Sequence, residues 1–170
     1  MTIERFDVNN AAIRQQFLRH TLLDAIDSLT EEDQPLWGKM SAQHMVEHLI
    51  WAFELSTGKT KVQCKVWENW IDRPKKLVFT NSPTPRNFKN PVLGDDPPTL
   101  RFSSLADSKC ALRKELDLFS EHIIDEPEAI HNHPILGPIG TEDWECVHFK
   151  HCYHHLLQFG LVKETETEII

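Results

Sequence analysis

The chain has 170 residues, enough for one domain with a real hydrophobic core, and a formal net charge of -8 that argues against nucleic acid or an anionic membrane surface as a partner. No run approaches the ~20 consecutive apolar residues of a membrane span, and the N-terminal MTIERFDVNN lacks the basic-then-apolar layout of a signal peptide. Four scattered cysteines, Cys64, Cys110, Cys146 and Cys152, form neither a CxxC pair nor a small secreted framework, so the expectation is a reduced, cytoplasmic protein.

Four helical patterns follow in chain order. The first covers residues 10–29, with Ile13, Phe17, Leu22, Ile26 and Leu29 on one apolar stripe. The second starts behind Ser41, a good N-cap after PLWGKM, and runs through AQHMVEHLIWAFELSTG to a stop at Gly58. Its apolar residues lie almost all round: Val46, Ile50 and Phe53 on one side, Met45, Ala52 and Leu55 on the other. Such a helix is buried on more than one face, and because one bundle covers only part of it, a homodimer is expected. Between the second and third helices, KVQCKVWENWID suits a short helix, whereas SPTPRNFKNPVLGDDPPT is too rich in proline to continue a helix or a central strand. That crossover, residues 82–99, is either a passive strap or the wall of a site. Its Arg86 and Lys89 could meet an anionic cofactor or substrate. The third helix covers residues 104–124, opened by Ser104 and Asp107 and striped by Leu105, Leu112, Leu116, Phe119 and Ile123. The fourth begins at Thr141 after GPIG, carries Glu142 and Asp143 in its first turn, and stops at Gly160. No alternating run is long enough to build a sheet. The reading is an all-α four-helix bundle with a long proline-rich crossover between helices two and three. It forms a single domain over residues 1–170, of which 161–170 are a polar tail.

The fourth helix contains HFKHCYHHLLQFG, with histidines at 148, 151, 154 and 155. At 100° per residue, His151 shares a face with Trp144, Val147, His148, His155, Gln158 and Phe159. His154 falls at the edge of that face, and Lys150 and Tyr153 point away from it. Imidazoles on the face that carries the large apolar residues are not a solvated surface. The second helix repeats the pattern with His44 and His48, again i and i+4. Histidines on buried faces need hydrogen-bond partners or a metal, and neutral imidazole is a common ligand for zinc, nickel and similar divalent ions. An HxxxH pair with a third ligand from a facing helix makes a catalytic-type site with one position open. Core histidines satisfied by their neighbours are the bland alternative. Cys152 lies within the stretch as a potential soft ligand or a plain thiol. HMVEH matches the H-x-x-E-H of inverted zinc proteases, but Glu47 stands roughly 100° round the helix from His48 and those enzymes are far larger.

The tryptophan-containing loop leading into MSAQHMVEHL, the crossover TPRNFKNP and the block HPILGPIGTEDWECVHFKHCYHHLLQFG together resemble the DinB/YfiT-like superfamily of small bacterial four-helix-bundle proteins. The most specific element is an H-x-x-H-H followed by Q near the end of the fourth helix. The resemblance implies a divalent metal bound by His48 of the second helix and by His151 and His155 of the fourth. The choice of His48 over His44 comes from it alone. His44, His148 and His154 remain as outer contacts or structural residues. Relatives include transferases and isomerases that use mycothiol or bacillithiol, so a metal-dependent S-transfer from a low-molecular-weight thiol to a small molecule is implied. Metal-assisted hydrolysis with Glu47 or Glu145 as base, a non-catalytic metal-binding or stress-response module, and histidines that merely pack are the other readings.

Overall fold

Asn10 opens the first helix because its short carboxamide can take a helical amide that has no other partner: its backbone is extended and its side-chain oxygen accepts the Ile13 N–H at 3.2 Å. The computed structural model describes residues 6–65, 72–86, 94 and 96–163. In it α1 (Ala11–Gln16) passes through a π-helical turn (Phe17–Thr21) into α2 (Leu22–Ser28), one rod where one helix was predicted. The wide turn puts both Phe17 and Leu18 into the core.

Ser41 caps α3 (Ala42–Ser56), its hydroxyl accepting the His44 N–H at 3.3 Å. Every residue of α3 except Gln43, His44 and Trp51 is buried within the chain itself. This helix therefore offers a second copy no uncovered apolar face, and the expectation of a dimer loses the feature that prompted it. Two glutamates of α3 fasten the segment that follows the crossover. Glu54 takes the Arg101 guanidinium through both oxygens, at 2.7 and 3.0 Å, and Glu47 accepts the backbone N–H of Arg101 at 2.6 Å and of Phe102 at 3.2 Å.

Residues 61–65 carry no helix, residues 66–71 of the predicted short helix lie outside the described residues, and the helix that is present, α4 (Asp72–Val78), begins where that segment ends. The described parts of the crossover contain neither helix nor strand. Ser104 caps α5 (Leu105–Asp125), which buries Leu105, Leu112, Leu116 and Phe119 of its predicted stripe.

The expectation that no sheet forms is corrected by an antiparallel hairpin of β1 (Ile130–His133) and β2 (Gly137–Gly140), paired from Ile130↔Gly140 to His133↔Gly137. IHNH and GPIG have no apolar alternation to announce them. Their turn is held instead by His133, whose Nδ1 accepts the amides of Ile135 and Leu136 at 3.1 Å each, and by Gly137 at φ +72°.

β2 runs directly into α6 (Thr141–Gln158), the helix buried on most sides. One face of α6 meets α3. Another meets the first rod, where Phe6 stacks on Phe149 with ring centres 4.9 Å apart and lies 4.5 Å from Tyr153. Tyr153 and Lys150, predicted to point away from the histidine face, do so, Tyr153 into this second interface and Lys150 towards α4. Tyr153 is 1 % exposed, and the Lys150 ammonium donates to the carbonyls of Leu77 and Thr80. Each fully buried large side chain such as Trp144, Phe149 or Leu156 contributes roughly 1.5–3 kcal/mol through the water it excludes. Packing continues through Val162, so the part of residues 161–170 that begins the predicted polar tail is not all polar surface; residues 164–170 lie outside the described ones. Among the described residues the protein is mostly helical, and no helix is long and apolar enough to cross a membrane.

Candidate metal centre

The i,i+4 spacing of His151 and His155 on α6 and the packing of α3 against α6 bring three imidazoles to one point. His151 Nε2 lies 2.8 Å from His48 Nε2 and 3.1 Å from His155 Nε2. The rings meet edge to face, with centres 4.7 to 4.9 Å apart. His48 is 9 % exposed and His155 6 %, while His151 is half-buried and marks the open side. This cluster can hold a metal ion.

Proton counting separates a metal site from a set of satisfied core histidines. His155 Nδ1 faces Gln158 Oε1 at 2.8 Å. Since Gln158 Nε2 donates to the Trp37 carbonyl at 2.8 Å, the oxygen facing His155 is an acceptor and the proton of neutral His155 sits on Nδ1. His155 Nε2 is then a bare lone pair. His151 can donate its Nε2 proton to His155 or present a lone pair to His48, but not both, so neutral rings must either share one proton three ways or leave two lone pairs in contact. A protonated ring would resolve the conflict, but burial opposes it. Burial, with a smaller repulsion from His154, pushes His48 down to about 4. Burial and then the neighbouring imidazoles hold His151 and His155 well below the ordinary histidine range. A cation at the centre would satisfy all three lone pairs at once. On a tetrahedral ion with bonds of about 2.0–2.1 Å, two ligand nitrogens stand about 3.3 Å apart. The two short contacts of His151 need to open by only a few tenths of an ångström to reach that spacing, and all three ligand atoms already lie within 4.8 Å of one another. An all-imidazole set suits zinc, nickel, copper or iron rather than magnesium or calcium.

The other histidines are accounted for separately. His44 Nδ1 lies 2.7 Å from the Ser41 hydroxyl and belongs to the α3 cap. His148 is fully buried, stacked on Phe53 with centres 3.9 Å apart, and donates from Nε2 to the Ser56 hydroxyl at 2.7 Å. Its Nδ1 has no hydrogen-bond partner among the described residues. His154 Nδ1 donates to the Thr84 carbonyl of the crossover at 3.3 Å, and its ring meets Trp37 edge-on, centres 5.7 Å apart. Arg86 lies over that same Trp37 ring at 4.9 Å, so the crossover does reach the neighbourhood of the cluster. Lys89 lies outside the described residues. Cys152 is completely buried, its thiol pushed up by burial, and it is no member of the cluster.

The two carboxylates considered as bases are engaged elsewhere. Glu47, besides the amides of Arg101 and Phe102, accepts from Gln43 Nε2 at 2.9 Å and from the Ser108 hydroxyl at 3.3 Å. Burial raises its pKa, but these donors, the Arg101 amide first, outweigh that and hold it below the usual carboxylate range. Glu145 pairs with Arg14 Nε at 3.1 Å. Glu47 is a structural staple. Glu47→Ala is expected to cost about 2–4 kcal/mol in a urea titration, because it strands two backbone amides, while leaving metal affinity unchanged. Unaltered stability would contradict this role.

Two further groups stand beside the cluster. Trp51, which helical spacing puts near the same side of α3 as His44 and His48, stacks along His48 with centres 6.1 Å apart. Gln158 was placed on the histidine face by periodicity, but its link to the Trp37 loop depends on the tertiary fold. Comparison of the chain with protein-family models, curated proteins and solved structures finds no match.

Proposed function

We propose that His48, His151 and His155 form a catalytic-type site for one zinc or nickel ion in a four-helix bundle of the DinB/YfiT-like kind, and that the site serves S-transfer from a low-molecular-weight thiol to a small electrophile. The observation that carries the metal reading is the convergence of three Nε2 atoms that no arrangement of neutral protons satisfies. When bound, the ion supplies the Lewis acidity that lowers a thiol's pKa and presents it as a nucleophile. The protein keeps the three imidazoles unprotonated by burial and fixes the ring of His155 through Gln158. It shields the cluster with Trp51 along His48 and with His154 beside His155. The half-buried side at His151 is the way in. Hydrolysis with Glu47 or Glu145 as base has less support, since both carboxylates are committed to structural partners.

The test is a turnover assay on metal-stripped and reloaded protein with 1-chloro-2,4-dinitrobenzene and a panel of small thiols. Activity that needs both metal and thiol supports the proposal. Activity with metal and water alone favours a hydrolase, and stoichiometric metal without turnover leaves a binding module. Arg86, exposed over Trp37 at the crossover, suits a carboxylate on the thiol or its acceptor. Arg86→Ala is expected to raise KM for an anionic thiol about three- to tenfold with little change in kcat. An equal KM for charged and uncharged thiols in both proteins would remove Arg86 from the site.

A further inference from the structure

Gln158, the last residue of α6, joins the metal cluster to the loop between α2 and α3 through three contacts. Its backbone carbonyl accepts the Leu36 N–H at 2.7 Å, its side-chain Nε2 donates to the Trp37 carbonyl at 2.8 Å, and its Oε1 accepts from His155 Nδ1 at 2.8 Å. It is 5 % exposed, so water does not compete for these bonds. The order of donors matters. A backbone carbonyl only accepts, so Trp37 decides which end of the amide faces the loop and therefore which end faces His155. Oε1 only accepts, so it decides which nitrogen of His155 carries the proton.

The neighbouring glycine makes this clamp sterically possible. Gly38 has φ +86°, a conformation side chains rarely adopt, and a Cβ placed on it would stand 2.8 Å from Gln158 Nε2. Any larger residue there is strained in its backbone and also presses on the amide that Trp37 holds. The Trp-Gly pair thus supplies an acceptor and a space at adjacent positions, both directed at one side chain.

The geometry points to Gln158 as a positioning residue. Clamped by the Trp37–Gly38 turn, it commits His155 to the tautomer whose Nε2 lone pair faces His48 and His151, so that a loop outside the cluster sets the affinity for the ion. This rests on the metal reading of the cluster, and it adds to it which outer contact tunes the site. Outer partners of ligating histidines change metal affinity by roughly 10- to 100-fold when removed, because they fix both the ring orientation and the proton.

Three variants and two readouts test it. Gln158→Met keeps the volume and removes both bonds, so the zinc Kd, measured by competition with a chromophoric chelator, should rise about 10- to 100-fold. Gln158→Glu keeps an acceptor towards His155 while opposing the Trp37 carbonyl, so zinc affinity should return to within a few-fold of the parent although the midpoint of urea unfolding falls. Gly38→Ala, which touches no ligand, should weaken zinc binding in the same direction as Gln158→Met. The second readout needs no metal: long-range 1H–15N correlation of the imidazoles in the metal-free protein should find His155 protonated on Nδ1 in the parent and a mixture of tautomers in Gln158→Met. Were Gln158 merely a packing residue, Gln158→Met and Gln158→Glu would lose stability alike and leave the zinc Kd and the His155 tautomer unmoved, which overturns the inference. Failure of the parent protein to bind zinc would sink the metal reading itself, and the tautomer measurement would still decide whether Gln158 controls His155.

Discussion

His151→Ala is expected to abolish stoichiometric zinc binding while leaving the metal-free protein as stable as its parent or more so. His151 is the imidazole shared by both short contacts in the cluster, 2.8 Å to His48 and 3.1 Å to His155, so no pair of the remaining nitrogens inherits its place. Loss of one ligand of three should weaken binding by more than the roughly 10- to 100-fold that follows loss of an outer partner. The effect on the metal-free fold runs the other way. His151 is half-buried, so its removal leaves no large enclosed cavity, and it takes away the lone-pair contact that neutral rings cannot resolve. The parent should therefore gain thermal stability on adding zinc, by the mass-action term of a ligand that binds only the folded state, and the variant should gain none. Calorimetry with and without zinc checks both halves. An equal zinc-induced rise in Tm for both proteins would remove His151 from the site.

The metal-free protein should also lose stability steeply between pH 6.5 and about 4. His133 is pushed down to about 4 by burial, and His48 to about 4 by burial and then by His154. For His148, His151 and His155 burial is again the first cause, and all three are held well below the ordinary value. A depressed pKa means that the unfolded chain binds the proton more readily than the fold does. Such a group supports the fold above pH 6.5 and withdraws that support as pH falls towards its folded value. For His133 alone the difference between 6.5 and about 4 corresponds to about 3 kcal/mol, out of the 5–15 kcal/mol that a domain of this kind has in total. Urea midpoints measured from pH 7.5 to pH 4.5 should fall throughout, with an uptake of more than one proton on unfolding, and zinc should flatten the upper part of the profile. A midpoint independent of pH over that range would contradict the burial of these imidazoles.

The parts of this protein that can be read from sequence are the parts decided locally. Asn10, Ser41 and Ser104 announce helix starts because each cap involves only its own first turn. The pairing of His151 with His155 follows from helical periodicity alone. The third imidazole of the cluster is different in kind. Whether His44 or His48 faces α6 depends on the rotation of α3 about its axis, which is set by packing along its whole length; here His48 faces inward and His44 is taken by the Ser41 cap. Glu47 looked available as a base because, Gln43 apart, the donors that occupy it arrive from residues 101, 102 and 108, more than fifty positions away. The hairpin at residues 130–140 gave no apolar alternation because one histidine and one glycine, rather than a buried stripe, define its turn. The π-helical turn in the first rod adds a residue without changing the composition of its apolar stripe, so nothing in the sequence marks it.

An anomalous difference map from crystals grown with zinc, collected on both sides of the zinc absorption edge, tests the central claim most directly. One peak is expected, lying about 2.0–2.1 Å from Nε2 of each of His48, His151 and His155. No peak at that point, with the three rings parted from it by more than a few ångströms, would contradict it.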